Sequence, residues 1–226
     1  MSGSNALVPH CAGARSPATR RRDECQSADN VAISGSTGQH GSVETESDKS
    51  TLTALLVPIP AVETVVGEHR RHLDPSARWG VPAHITILFP FLRPSLVSDS
   101  VLDLIERALS AVTVIDVGFE RTAWFDDQVL WLAPEPADPF RHLIGAVCDA
   151  FPECQPYGGA VGEPVPHLTV GDRRGGASLS DLQTAEVAVT SGLPLRANAN
   201  TMLLMTGRSE PASWHTLHSF PLARSH

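Results

Sequence analysis

Val81-Pro82-Ala83-His84-Ile85-Thr86-Ile87-Leu88-Phe89-Pro90-Phe91 is the stretch from which the rest of the chain can be read. Its β-branched residues, bounded by prolines, predict a short extended strand. Side chains alternate across a strand, so His84 and Thr86 project from one face while Ile85 and Ile87 project from the other. Glu163-Pro164-Val165-Pro166-His167-Leu168-Thr169-Val170 repeats the arrangement, with His167 and Thr169 on one face and Leu168 and Val170 opposite.

The sequence around the first stretch has a regular order. Residues 52–59 read as a buried strand ended by Pro58 and Pro60. Residues 61–73 read as a helix, with Val62, Val65 and Val66 on one face and Glu63, Arg70 and Arg71 elsewhere. Asp74-Pro75 stops that helix. Beyond the His84 strand, Leu102, Ile105 and Leu109 at helical spacing predict a helix over 96–112, and residues 113–125 read as a strand running to a turn at Asp126-Asp127. The order then begins again, with a strand over 129–133, a helix over 138–151, a Gly/Pro-rich loop, the His167 strand and a helix over 179–189. Strands over 201–206 and 214–222 close the chain. Both halves therefore run strand, helix, strand with His-x-Thr, helix, strand, an internal duplication of element order. The predicted fold class is α+β and bilobal: two pseudo-symmetric lobes of antiparallel-type sheet flanked by helices, with both His-x-Thr motifs in a central cleft.

Residues 1–50 are rich in Ser, Gly, Ala and Thr and nearly free of large apolar side chains. Such a segment cannot bury enough surface to offset its ordering entropy, which predicts a disordered tail and a folded domain over 51–226. The formal charge of −8 disfavours long nucleic-acid tracts, whose phosphates call for many Lys and Arg contacts. Any nucleic-acid partner is expected to be short or held at its end. Cys11, Cys25, Cys148 and Cys154 show no zinc-type spacing and read as reduced thiols. With no membrane-length apolar run and no secretory h-region, a cytoplasmic monomer without membrane contact is expected.

Counting shows how much weight His-x-Thr can bear. Ten histidines in a chain this rich in Ser and Thr give roughly one or two His-x-Ser/Thr triplets by chance. The chain has three, and His40-Gly41-Ser42, in the expected tail, shows what a chance match looks like. The other two share a preceding proline, alternating apolar residues, a strand setting and equivalent places in the two halves. As a pair they suit in-line displacement at a phosphodiester, which needs a base for the attacking oxygen and an acid for the leaving one. Histidine titrates near neutrality and can serve as either. The hydroxyls of Thr86 and Thr169 can donate to non-bridging phosphate oxygens, so the scheme needs no metal and no cofactor.

These two motifs resemble the signatures of the two-histidine (2H) phosphoesterase superfamily, in its 2′-5′ RNA ligase-like branch. The resemblance covers about 51–222 and includes Val129-Leu130-Trp131-Leu132-Ala133-Pro134 and Pro156-Tyr157-Gly158-Gly159. It implies a bilobal fold, no metal, and action on 2′,3′-cyclic phosphates or 2′-5′ linkages of RNA ends or small nucleotides. It also implies that His84 and His167 are catalytic and that Thr86 and Thr169 bind phosphate. Family members often carry a basic residue close after the second motif. Here Gly171-Asp172 intervene before Arg173 and Arg174, and Arg173 is the candidate substrate-binding residue, with Tyr157 as a candidate for stacking on a base. Two other readings stand beside this one: an RNA-end or nucleotide-binding module without turnover, and a metal-dependent hydrolase using His84, His167 and a carboxylate such as Asp172. His69 and His72, three apart on a helix, and His215 and His218 read as solvated faces.

Overall fold

The computed structural model describes residues 51–159 and 163–223. The tail expected over 1–50 lies outside the described residues. Two four-stranded antiparallel sheets carry the fold. In chain order the strands are β1 (Leu52–Pro58), β2 (His84–Leu88), β3 (Ile115–Phe125), β4 (Val129–Glu135), β5 (Leu168–Asp172), β6 (Leu195–Ala199), β7 (Thr201–Gly207) and β8 (His215–Pro221). The longer helices are α1 (Glu63–Leu73), α2 (Asp99–Leu109), α3 (Asp138–Ala150) and α4 (Leu179–Ser191).

The sheet orders are β2-β1-β7-β8 and β5-β4-β3-β6, so the two halves exchange strands, β3 going one way and β7 and β8 the other. β3, which closes the first half in sequence, pairs with β4, and β7 from the second half pairs with β1. The fold is thus α+β and bilobal as expected, but each lobe is woven from both halves. β6 was not anticipated. It is an edge strand, Leu195-Arg196-Ala197-Asn198-Ala199, paired on one side with β3, and its polar outward positions remove the hydrophobic signal a sequence reading depends on.

The main core lies between the sheets and helices. Leu55 and Val57 of β1, Ile85 and Ile87 of β2, and Leu168 and Val170 of β5 are buried in it together with Phe140, Leu143, Ile144 and Val147 of α3. The helices cross over: α1 packs on β5 and α3 on β2. Burying one lobe's strand under the other lobe's helix makes the core continuous, which ties the two halves into one cooperative body. A smaller apolar cluster occupies the other face of each sheet, around Leu56, Met205 and Trp214 in one lobe and Val129, Trp131 and Ala133 in the other.

Arg70 departs from the sequence reading, which set it away from the apolar face of its helix. It is 2% exposed. Val62, Val66 and Arg70 are successive at four-residue spacing and so share one stripe, and the guanidinium is carried inward with them.

Candidate active site

β2 and β5 are the edge strands of their sheets and touch one another. On β2 His84 and Thr86 are half-buried while Ile85, Ile87 and Leu88 are buried; around β5 His167 and Thr169 are half-buried while Leu168, Val170 and Gly171 are buried. Both edges also carry the same irregularity. Leu56 pairs with Thr86 but Leu55 with Leu88, leaving Ile87 as an extra residue. Trp131 pairs with Thr169 but Leu130 with Gly171, leaving Val170 as an extra residue. In each case the bulge falls three residues after the histidine, and bulges re-aim nearby side chains where a regular ladder could not. Gly171 itself is demanded by packing: a Cβ there would lie 2.3 Å from Leu182 Cδ2 and 2.9 Å from Leu73 Cβ.

The two imidazoles are held alike. His84 Nδ1 lies 2.7 Å from the Pro82 carbonyl oxygen, and His167 Nδ1 lies 2.8 Å from the Val165 carbonyl oxygen. A carbonyl only accepts, so each Nδ1 carries the proton and donates it. In the neutral ring this leaves the lone pair on Nε2, the atom able to take or return a proton. In both motifs the accepting carbonyl is the one two residues before the histidine.

Their surroundings differ. Withdrawal from solvent pushes His84 down to about 4, and the nearby Arg70 guanidinium pushes the same way; the Pro82 carbonyl and Asp74 oppose, and His167 adds to the depression. His167 is likewise lowered by burial, with the Val165 carbonyl opposing and Arg174 assisting. His167 is thus near enough to His84 to add to its depression. Against His167 lie aromatic edges: Phe125 at 4.9 Å and Trp131 at 5.9 Å between ring centroids, with Phe125 and Trp131 stacked on each other at 4.8 Å.

A cavity of about 350 Å³ opens beside His167 and Thr169, lined also by Phe125, Tyr157, Val165 and Arg174. Tyr157 bridges the lobes. Its backbone N–H donates to the Phe89 carbonyl at the end of β2, and its hydroxyl is hydrogen-bonded to Thr86. Burial raises the Tyr157 phenol, while the Thr86 hydrogen bond and Arg174 oppose that rise. The structure therefore brings together His84, Thr86, Tyr157, His167 and Thr169. Arg173 is placed differently from its neighbour. Its guanidinium pairs with Asp127 at 2.5 Å. Arg174 instead lines the cavity, held by Asp172, whose carboxylate accepts from Nε and Nη2 at 2.6–3.0 Å. The two arginines sit on a tight turn, Arg173–Gly175, that sends consecutive side chains in different directions, and nothing in the sequence alone selects between them.

Asp172, the carboxylate of the metal-dependent alternative, is thus engaged by Arg174. Among the described residues no group of three or more His, Cys, Asp and Glu side chains is arranged to hold a metal ion. His69 and His72 line a separate hollow of about 510 Å³ together with Arg78 and Asp181. No helix among the described residues is long and apolar enough to cross a membrane.

The model of the 2′-5′ RNA ligase superfamily matches residues 57–208 of this chain, a span containing both motifs and the cleft between them. The chain belongs to that superfamily. As a superfamily member it is an enzyme of that family. Among solved structures, TT0787 of Thermus thermophilus is 18% identical, covers 77% of this chain and 100% of its own, and superposes with a TM-score of 0.54, a likeness of fold. Escherichia coli LigT in its apo form is 18% identical over 77% of this chain and 98% of its own, with a TM-score of 0.46. LigT complexed with 3′-AMP is 13% identical over 77% and 99%, with a TM-score of 0.45. Curated protein sequences gave no match.

The depression of His84 predicts a loss of stability in acid. A histidine near 6.5 when unfolded and about 4 when folded binds its proton more readily in the unfolded chain. Stability is therefore whole above pH 6.5, falls as pH drops from 6.5 to 4, and levels off below. The loss from this group is at most about 3 kcal/mol. Urea unfolding at stepped pH checks this: His84→Gln should flatten the slope in that window, and an unchanged slope would refute the assignment.

Proposed function

We propose that the cleft cleaves 2′,3′-cyclic phosphate or 2′-5′ phosphodiester bonds, at RNA ends or in small nucleotides, by metal-independent acid–base catalysis with His84 and His167. The observation that carries this reading is the matched pair of imidazoles, each with Nδ1 tied to a backbone carbonyl and Nε2 left for proton transfer. In-line displacement uses one Nε2 to take the proton of the attacking oxygen and the other to return a proton to the leaving oxygen. Thr86 and Thr169 are suited to donate to the non-bridging oxygens, where negative charge grows in the transition state. Arg174, beside Tyr157 and His167, adds positive charge on the same side.

The size and charge of the site favour a small substrate. A cavity of about 350 Å³ suits a nucleotide or one terminal residue, and Asp126 and Glu163 on its lining repel a long phosphate chain. The test is a panel of 2′,3′-cyclic mononucleotides and 2′-5′-linked dinucleotides incubated in excess EDTA. Turnover of at least one is expected. Binding of cyclic-phosphate ends without product would instead favour a recognition module, and loss of turnover in chelator with recovery on one added metal would favour a metal-dependent hydrolase.

A further inference from the structure

Tyr157 is the chain's one tyrosine, and it is held between the lobes in a conformation that its side chain does not favour. Its φ of 53° and ψ of 33° lie in the left-handed region, which a bulky residue occupies only when its surroundings impose it. Just past β2, the Phe89 carbonyl accepts the Tyr157 N–H at 2.7 Å, and the Gly158 N–H donates back to the Gln155 carbonyl at 2.9 Å. The residue is 37% exposed as a whole, yet its hydroxyl end lies inside the cleft. That hydroxyl is hydrogen-bonded to Thr86 of the first motif and feels Arg174, while the side chain lines the cavity with His167 and Thr169 of the second. Stacking on a base would use the ring and leave this placement of the hydroxyl without a purpose.

Two hydroxyls joined by one hydrogen bond keep one O–H between them for a third group. Beside an anionic phosphate the better donor takes the better acceptor. The phenol is the more acidic of the two, so its O–H turns to the phosphate and the Thr86 O–H supports the phenol oxygen. Thr86 and Arg174 both act to make the phenol more acidic, as a donor to its oxygen and a cation beside it should, while burial holds the proton on.

We propose that Tyr157 is a further catalytic residue of the cleft, its phenol O–H donating to a non-bridging oxygen of the scissile phosphate, with Thr86 as the positioning residue that aims it. This rests on the phosphoesterase reading and refines its β2 side, where the Thr86 hydroxyl reaches the phosphate through the phenol. No proton leaves the phenol. The hydrogen bond strengthens as negative charge gathers on the phosphate oxygen in the transition state, and a donor fixed beforehand needs no reordering at that moment. The left-handed turn tied to the end of β2 through Phe89 does the fixing.

Tyr157→Phe removes the hydroxyl and keeps the ring. On any member of the panel of cyclic and 2′-5′-linked substrates that the wild type turns over, it should lower kcat about 10²-fold with KM changed less than about threefold. An unchanged or raised kcat, the result if the ring only stacks or if the phosphate displaces the phenol from Thr86, overturns the proposal. Thr86→Val should lower kcat as well, and the double variant should lose little more than Tyr157→Phe alone, because both changes act through one O–H. Losses that multiply would show that Thr86 reaches the phosphate by itself, and would overturn the relay. Binding decides the point without turnover. In calorimetry Tyr157→Phe should hold adenosine 3′-monophosphate about tenfold or more weakly than the wild type, with binding of adenosine unchanged. Equal affinity of the two proteins for the monophosphate sinks the proposal. A wild type that turns over no member of the panel but shows this difference refutes the phosphoesterase reading and keeps the phenol as a phosphate ligand; one that binds no monophosphate refutes both.

Discussion

His84→Ala and His167→Ala each lower turnover of a 2′,3′-cyclic or 2′-5′-linked substrate by about 10²–10⁴-fold, the range for removing a general acid or base. Each imidazole has the same construction, with Nδ1 donating to the carbonyl two residues earlier and no hydrogen bond to Nε2 among the described residues, so neither can replace the other once it is gone. The losses should fall mainly on kcat, because proton transfer is made in the transition state and the cavity walls that hold the ground state remain. The double variant should lose far less than the product of the single effects, since both rings serve one displacement. His40→Ala, whose triplet matches the motif only by residue type, should behave as wild type. Steady-state kinetics on the three single variants and the double decides the matter. Full activity in either cleft variant would end the two-histidine reading.

Arg70→Met destabilises the fold by about 3–5 kcal/mol, the cost of leaving one member of a buried ion pair without its partner. Asp74 is nearly as buried as Arg70, and its carboxylate would keep only the Ser76 backbone N–H and hydroxyl as donors. The Val81 carbonyl and Glu63 would lose a partner as well. Adding Asp74→Asn should recover much of the loss, because the amide oxygen can still accept from the Ser76 N–H while the uncompensated charge is gone. Urea unfolding of wild type, Arg70→Met and the double variant measures this directly. A single variant within about 1 kcal/mol of wild type would show that the ion pair contributes no more than an exposed one.

Most of the strand and helix order was legible because its physical signal is local. Alternation of apolar and polar residues marks β2 and β5, and the stripe of Phe140, Leu143, Ile144 and Val147 marks α3. β6 was illegible for the complementary reason: Arg196 and Asn198 point outward from an edge, and the strand exists because β3 offers it a partner. The strand exchange was equally hidden, since pairing β3 with β4 and β7 with β1 is settled by distant residues. In the site, the shared face of His84 with Thr86 and of His167 with Thr169 followed from the two-residue period. Arg174 did not, because in Arg173–Gly175 a tight turn separates neighbours that no period distinguishes. Arg70 was in principle readable from its four-residue spacing to Val66, but its charge argues for solvent. Only the proximity of Asp74 and Glu63 explains its burial.

By itself, then, the sequence determined which residues the proposed chemistry uses: two His-x-Thr strands in equivalent places, the histidine and threonine of each on one face, within a duplicated order of elements. The backbone period dictates that much, and it acts over a few residues. Tertiary structure alone decided that the two edges meet, that each carries a bulge three residues after its histidine, and that Arg174 rather than Arg173 lines the cavity. It also made the two halves unequal, by placing a buried guanidinium behind His84 and aromatic rings against His167. Those features depend on charge and shape brought together from distant parts of the chain, where local spacing carries no information.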